Sequence, residues 1–275
     1  MLVIRKLTKQ DHEQLMELVL PQASINLFII GDIEMYGYET DFQELWGDFD
    51  GQDNLRGVLL RYYDSFIVYG QKKYDVQGFV QLINNHHEQP TIAGEESILL
   101  PLRPFFKDSH KVKDTYFAEC RAETLKTSDN EKLLNQVKKA TVADASRLVE
   151  LLFTIEEFDI ATRLDFDDYV TRTIKRYEDK AGRDYFIEVD DKVVSIAQTT
   201  AENSKSAMLV GVCTAPDYRM KGYTTAVMSK LLQELFIEKA SVCLFYDNPK
   251  AGSIYQRSGF EEIAMWTMLT PKKEE

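Results

Sequence analysis

The chain has 275 residues, of which 44% are hydrophobic and 28% charged, an ordinary balance for a globular protein of one or two domains with a sizeable core. A formal net charge of −12 argues against nonspecific nucleic-acid binding, and no apolar run approaches the roughly 18 residues a membrane-spanning helix needs. Three cysteines, Cys120, Cys213 and Cys243, form no Cys-x-x-Cys pair; with no signal-like N-terminus they point to a cytoplasmic protein in a reducing environment.

In chain order, Val3 to Leu7 predicts a strand and Asp11 to Leu20 a helix stopped by Pro21, with a second helix over Ser24 to Tyr36. Phe42 to Phe49 and Leu55 to Tyr62 flank Asp50-Gly51-Gln52-Asp53-Asn54 as a hairpin, and Phe66 to Tyr69 supplies another short strand. From Gly31 to Asp53 inclusive there are eight acidic residues and no Lys, Arg or His, interleaved with Tyr36, Tyr38, Phe42, Trp46 and Phe49. Such a run is a solvated helix end and hairpin face or, through Asp48 and Asp50, an attractor for a cationic amine. His86 and His87 are neighbours whose side chains diverge on a strand, so no metal site is expected there.

The opening recurs. Lys6, Thr8, Asp11, Leu15, Glu17 and Leu18 return in register as Lys139, Thr141, Asp144, Leu148, Glu150 and Leu151, with Thr and Asp at helix-capping spacing in both copies. The polar stretch from Arg121 to Gln136 reads as the boundary. In the second copy Val137 to Thr141 starts a sheet, Ala143 to Phe153 and Phe166 to Tyr177 are helices, and Asp184 to Val189, Val193 to Ala201 and Ala207 to Thr214 are strands. Gly211 inside the last of these marks a bulge or a close backbone approach.

Leu209 to Thr224 then runs from strand into a glycine-bearing, basic helix start. Pro216 breaks the ladder, and Val227, Leu231, Leu232 and Leu235 line one face of the helix that follows. A helix start carries amides without intrahelical partners and a dipole that favours negative charge. Gly222 removes a side chain where an anion would approach, and Arg219 and Lys221 add positive charge.

Arg219, Met220, Lys221, Gly222, Tyr223 and Thr224 resemble the Arg/Gln-x-x-Gly-x-Gly/Ala signature of the GNAT superfamily of N-acetyltransferases. Asn248, Ala251, Tyr255, Gly259 and Phe260, after a strand at Ser241 to Tyr246, resemble that family's Asn-x-x-Ala-x-x-x-Tyr-x-x-x-Gly-Phe run. Thr224 departs from the pattern, because Gly or Ala is usual there; its hydroxyl either bonds or crowds a pyrophosphate. The resemblance implies an α+β protein of two tandem GNAT-like domains, each a mixed, mostly antiparallel sheet flanked by helices. The first, 1–126, is degenerate, since nothing between Gly70 and Cys120 resembles the phosphate-binding signature; the second, 134–275, binds acetyl-CoA.

The resemblance further implies that the amide of Val212 polarises the thioester carbonyl and that the backbone of Thr214, beside Cys213, pairs with the pantetheine arm. Amides from Arg219 to Thr224 hold the pyrophosphate, Asn248 meets the arm from the far side, and Tyr255 protonates the departing thiolate. Without the family spacing, Tyr255 is a core or rim tyrosine, and Cys213, with no histidine beside it, a small buried strand residue. No acidic residue lies between Lys205 and Thr214; the candidates for a general base are Glu156, Glu157 and Asp159. The expected activity is transfer of an acetyl group from acetyl-CoA to a primary amine acceptor in a ternary complex, with no metal, nucleic acid or membrane partner and an unknown oligomeric state. The alternative is a noncatalytic acyl-CoA sensor.

Overall fold

A computed structural model describes residues 3–71, 73–86, 89–158 and 164–272; His87 and Asp159 lie outside the described residues. The chain divides into two compact units, one of Met1–Ala118, Phe245–Asp247 and Glu262–Glu275, the other of Glu119–Leu244 and Asn248–Glu261.

The first stretch of chain forms β1 (Val3–Lys6), α1 (His12–Val19), α2 (Leu27–Tyr36), β2 (Gln43–Phe49), β3 (Leu55–Tyr62), β4 (Ser65–Gly70), α3 (Val76–His86), β5 (Thr91–Glu95), the short α4 (Glu96–Leu99) and α5 (Arg103–Phe106), and β6 (His110–Cys120). There follow α6 (Glu131–Leu134), β7 (Lys138–Lys139), α7 (Ala145–Phe153), α8 (Phe166–Glu178), β8 (Asp184–Val189), β9 (Lys192–Thr200), β10 (Ser206–Thr214), α9 (Tyr223–Leu235), β11 (Ser241–Tyr246), α10 (Pro249–Arg257) and β12 (Glu261–Pro271). Strands of the first unit neighbour one another in the order β1-β2-β3-β4-β5-β12-β6, and those of the second in the order β11-β10-β9-β8-β7. The β4–β5 and β10–β11 pairs are parallel, and the pairs from β1 to β4 and from β7 to β10 are antiparallel. The fold is therefore α+β with mixed, mostly antiparallel sheets.

The sequence repeat has a local cause in hydrogen bonding. Thr8 donates its backbone N–H to Asp11 Oδ2 at 2.8 Å and Thr141 donates to Asp144 Oδ2 at 2.9 Å. In both copies this capping box opens a 3-10 turn, Lys9–Asp11 and Val142–Asp144, that leads into the first helix. Each Thr/Asp pair satisfies donors that a helix start leaves open. The first helix is shorter than its periodicity predicts. It ends at Val19 and tightens into a second 3-10 turn, Leu20–Gln22, because Pro21 has no N–H with which to continue the ladder. Residues Ser24 to Asn26 stay outside the second helix; Asn26 Nδ2 turns back to the carbonyls of Val19 and Gln22.

In the second unit, alternation along the strands sends side chains to two helical layers. Phe186 and Ile196 pack with Leu148, Leu151 and Leu152 of α7 and with Cys213. Tyr185, one residue from Phe186, instead reaches Glu234 of α9. Leu231, Leu232 and Leu235 of α9 are fully buried, each contributing about 1.5 to 3 kcal/mol by leaving water. The polar boundary stretch also packs here, with the Ser128 amide donating to Ser229 Oγ of α9 at 2.8 Å.

Candidate active site

The site begins with a defect in the sheet. Val210 pairs with Gln198 and Cys213 with Ile196, so β10 carries one residue more than β9 over this interval, as in a β-bulge. Gly211 sits at the bulge with φ +56°, in left-handed space where glycine costs least. The parallel pairing of β10 with β11 runs only from Ser206/Ser241 to Met208/Cys243, leaving the rest of β10 free of that ladder. Gly211, expected from sequence to mark a bulge, does so.

Beyond this point a cleft of 510 Å³ opens within the second unit. Val212, Cys213 and Thr214 form its strand side, and Arg219, Met220, Gly222, Tyr223 and Thr224 the loop and helix start. Asn248 and Tyr255, from the start and the body of α10, also line it. Of the residues expected to hold acetyl-CoA or to protonate its thiolate, only Lys221 is absent from the lining. Its ammonium donates to the Asp217 carbonyl at 2.9 Å and lies 5.0 Å from the Tyr218 ring centroid. Met220 also lies at positive φ, +62°, and its side chain is fully exposed.

Gly222 is the N-cap of α9, with φ +85°. No side chain caps this helix start, so its first amides remain available to an anion. The Thr224 hydroxyl turns inward to Thr214 Oγ1 at 2.7 Å, and Thr214 Oγ1 lies 2.8 Å from Ser195 Oγ. This three-hydroxyl chain ties the end of β10 to the first turn of α9. Asn248 is the N-cap of α10, its Oδ1 accepting the Lys250 N–H at 2.9 Å.

Arg219 serves two contacts. Its Nε donates to the Thr214 carbonyl at 3.1 Å, and its terminal nitrogens meet Glu157 at 2.9 and 3.2 Å. Glu157 is a lining residue, and the hydrogen bond from Arg219 holds its carboxyl below the usual range, which makes it a poorer proton acceptor. Glu156 does not line the cleft. Burial pushes the Cys213 thiol up to about 12. Tyr255 is likewise pushed up to about 12, by burial first and by neighbouring Cys213 second.

Several lining residues went unnoticed in the sequence. Lys250, Ile254 and Arg257 line the cleft together; their spacing of four and three places them on one helix face, a signal that was there to read. Ile155 and Phe158 supply apolar wall. In the acidic run of the first unit, Asp48 and Asp50 both hold structural hydrogen bonds. Asp48 is fully buried and takes Arg56 Nη2 on both oxygens at 2.8 Å, while Asp50 Oδ1 accepts the Gln52 and Asn54 amides of its hairpin.

Compared with known proteins, residues 147–260 match the model of the Acetyltransferase (GNAT) family. No curated protein matches the chain. Among solved structures, a GCN5-related N-acetyltransferase from Sphaerobacter thermophilus is similar at 12% identity and a TM-score of 0.61, over 100% of this chain and 98% of that one. A tandem GNAT protein from the clavulanic acid biosynthesis pathway aligns over 100% of both chains at 12% identity and a TM-score of 0.57. A GCN5-related N-acetyltransferase from Kribbella flavida aligns over 80% of this chain and 88% of its own at 15% identity and a TM-score of 0.58. These likenesses are of fold. No helix among the described residues is long and apolar enough to cross a membrane.

Proposed function

Because residues 147–260 make up a domain of the GNAT acetyltransferase family, an acyltransferase fold, we propose that the protein is an N-acetyltransferase that moves an acetyl group from acetyl-CoA directly to a primary amine. The observation that carries the reading is the convergence on one cleft of the bulge at Val212, the uncapped start of α9 and Tyr255. The amides from Arg219 to Thr224 hold the pyrophosphate, with Lys250 and Arg257 adding charge, and the backbone of Thr214 together with Asn248 flanks the pantetheine arm. Val212 N–H receives the thioester carbonyl. The neutral amine nitrogen attacks the carbonyl carbon, the carbon–sulfur bond breaks, the nitrogen gives up its extra proton to solvent, and the sulfur leaves as a thiolate beside Tyr255 that solvent then protonates to the free thiol.

The raised tyrosine defines its part in that step. A hydroxyl near 12 and a coenzyme thiol near 8.5 differ by about 3.5 pK units, so complete proton transfer between them costs about 5 kcal/mol. Tyr255 therefore acts first by donating a hydrogen bond to the developing thiolate, and it remains protonated throughout the working pH range. The attacking amine is held neutral by loss of its proton to solvent, since Glu157 is occupied by Arg219.

That occupied carboxylate is also what favours the second reading, a noncatalytic acyl-CoA sensor. Titration calorimetry with acetyl-CoA, paired with thiol release across a panel of amines, separates the two. The enzyme binds and releases free thiol in proportion to acceptor; a sensor binds and releases none. In Tyr255→Phe, affinity for acetyl-CoA stays near the wild-type value while turnover falls about 100-fold, the low end for losing a general acid. Unchanged turnover removes Tyr255 from the mechanism.

A further inference from the structure

The bulge that opens the cleft is backed by a buried polar network. Gln198 pairs across the strands with Val210 on one side and Asp184 on the other. It is 3% exposed and Asp184 is 1% exposed. Gln198 Nε2 donates to Asp184 Oδ2 at 2.6 Å, Tyr177 Oη donates to the same oxygen at 2.5 Å, and Arg176 Nη2 lies 2.7 Å from Oδ1. On the other side of its carboxamide, Gln198 is pressed against the bulge. A Cβ added to Gly211 would fall 2.1 Å from Gln198 Oε1 and 2.9 Å from its Cδ.

Stability is a weak reason for such a network. Taking a carboxylate and a guanidinium out of water costs several kcal/mol, and apolar packing of the same volume is often as stable. Its location gives a better reason. Neither Asp184 nor Gln198 lines the cleft, whereas Val212 does, so both reach the chemistry only through the backbone of the bulge. We infer that Gln198 is a positioning residue: anchored by Asp184, its carboxamide fills the space in front of Gly211, holds that residue at positive φ, and so aims the Val212 amide at the acyl carbonyl. The inference rests on the reading of the cleft as an acyl-CoA site.

The aim of one amide is measurable apart from turnover, because acetyl-CoA offers it a carbonyl and coenzyme A does not. The experiment compares the affinities of the two ligands and records the carbonyl resonance of bound acetyl-CoA labelled there with carbon-13. In the wild type the resonance moves downfield and acetyl-CoA binds about 3- to 10-fold more tightly than coenzyme A, the range one hydrogen bond supplies. In Gln198→Met, of similar length but unable to bond Asp184, the resonance returns toward its free position and the ratio falls toward unity. Affinity for coenzyme A itself is retained, whereas a purely structural loss weakens both ligands alike. Gln198→Leu, shorter and equally unable to bond Asp184, gives the same readout if Gln198→Met does not fold. A folded Gln198→Met with the wild-type resonance and ratio overturns the inference alone. A wild type that binds coenzyme A without either effect overturns the acyl-carbonyl assignment of Val212 as well.

Discussion

Thr224 stands where the family's usual residue has no hydroxyl, and its own is hydrogen-bonded to Thr214 Oγ1. Thr224→Ala therefore costs about 1 kcal/mol of stability from the lost hydrogen bond, while coenzyme A affinity persists; thermal denaturation and calorimetry read the two separately. Cys213 and Tyr255 carry pH predictions. With the thiol near 12, about one Cys213 in ten thousand is a thiolate at pH 8, so iodoacetamide leaves Cys213 unlabelled until the protein is denatured. Rapid labelling of the folded protein would instead mark Cys213 as a reactive nucleophile. Tyr255 is raised above its unfolded value near 10, so its contribution to stability is whole below pH 10 and is lost as pH rises toward 12. Its ionisation accordingly produces no basic limb in turnover between pH 7 and 10. The residues legible in the sequence were those whose reasons are local, such as Gly222 at a helix start and Gly211 in a strand. The pairing of Glu157 with Arg219, and the Gln198 carboxamide laid over Gly211, depend on residues far apart in the chain, and no spacing announces them.

At the level of elements, the two units follow one plan and diverge where a phosphate would bind. Strand β4 leads into α3 as β10 leads into α9, and each of these strands has a parallel neighbour next in the chain. In the first unit, however, β3 and β4 pair without a break from Gly57/Gly70 to Tyr62/Ser65, so there is no bulge to open a slot. The start of α3 is filled by the protein itself: Asp75 Oδ1 accepts the Gly78 amide at 3.0 Å, and the Asp75 amide donates to buried Asp48. Two carboxylates stand where the second unit offers free amides. The missing glycine signature between Gly70 and Cys120 has this physical counterpart. Calorimetry with coenzyme A is expected to give one site per chain, and Asp75→Ala to lower stability by about 1 kcal/mol, as loss of a cap does, without creating a second. A stoichiometry of two would mean that the first unit binds in some other way.

For the whole molecule, composition placed a boundary in the polar stretch at 121–136, and the structure adds something no local pattern encodes. The final strand, β12, belongs to the first unit, where Trp266 through Leu269 pair with β5. Leu269 is buried in that unit's core with Phe66, Phe79 and Ile92, and Arg103 donates to Thr267 Oγ1 at 2.7 Å. Leu269→Ala is expected to cost about 2 to 5 kcal/mol, with amide hydrogen exchange rising in β4 and β5 more than in β8 and β9. Equal loosening of both sets of strands would mean that the units do not keep separate cores.

The placement of β12 also sets a clock on the ribosome. A nascent first unit, translated through Ala118, still lacks a strand of its own sheet and must wait for residues 119 to 271 to be made, about 10 to 30 seconds at ordinary rates of synthesis. During that interval β5 presents an open edge inviting other chains. The first unit to be made is thus the last that can be finished, and chaperone demand during synthesis should fall on it.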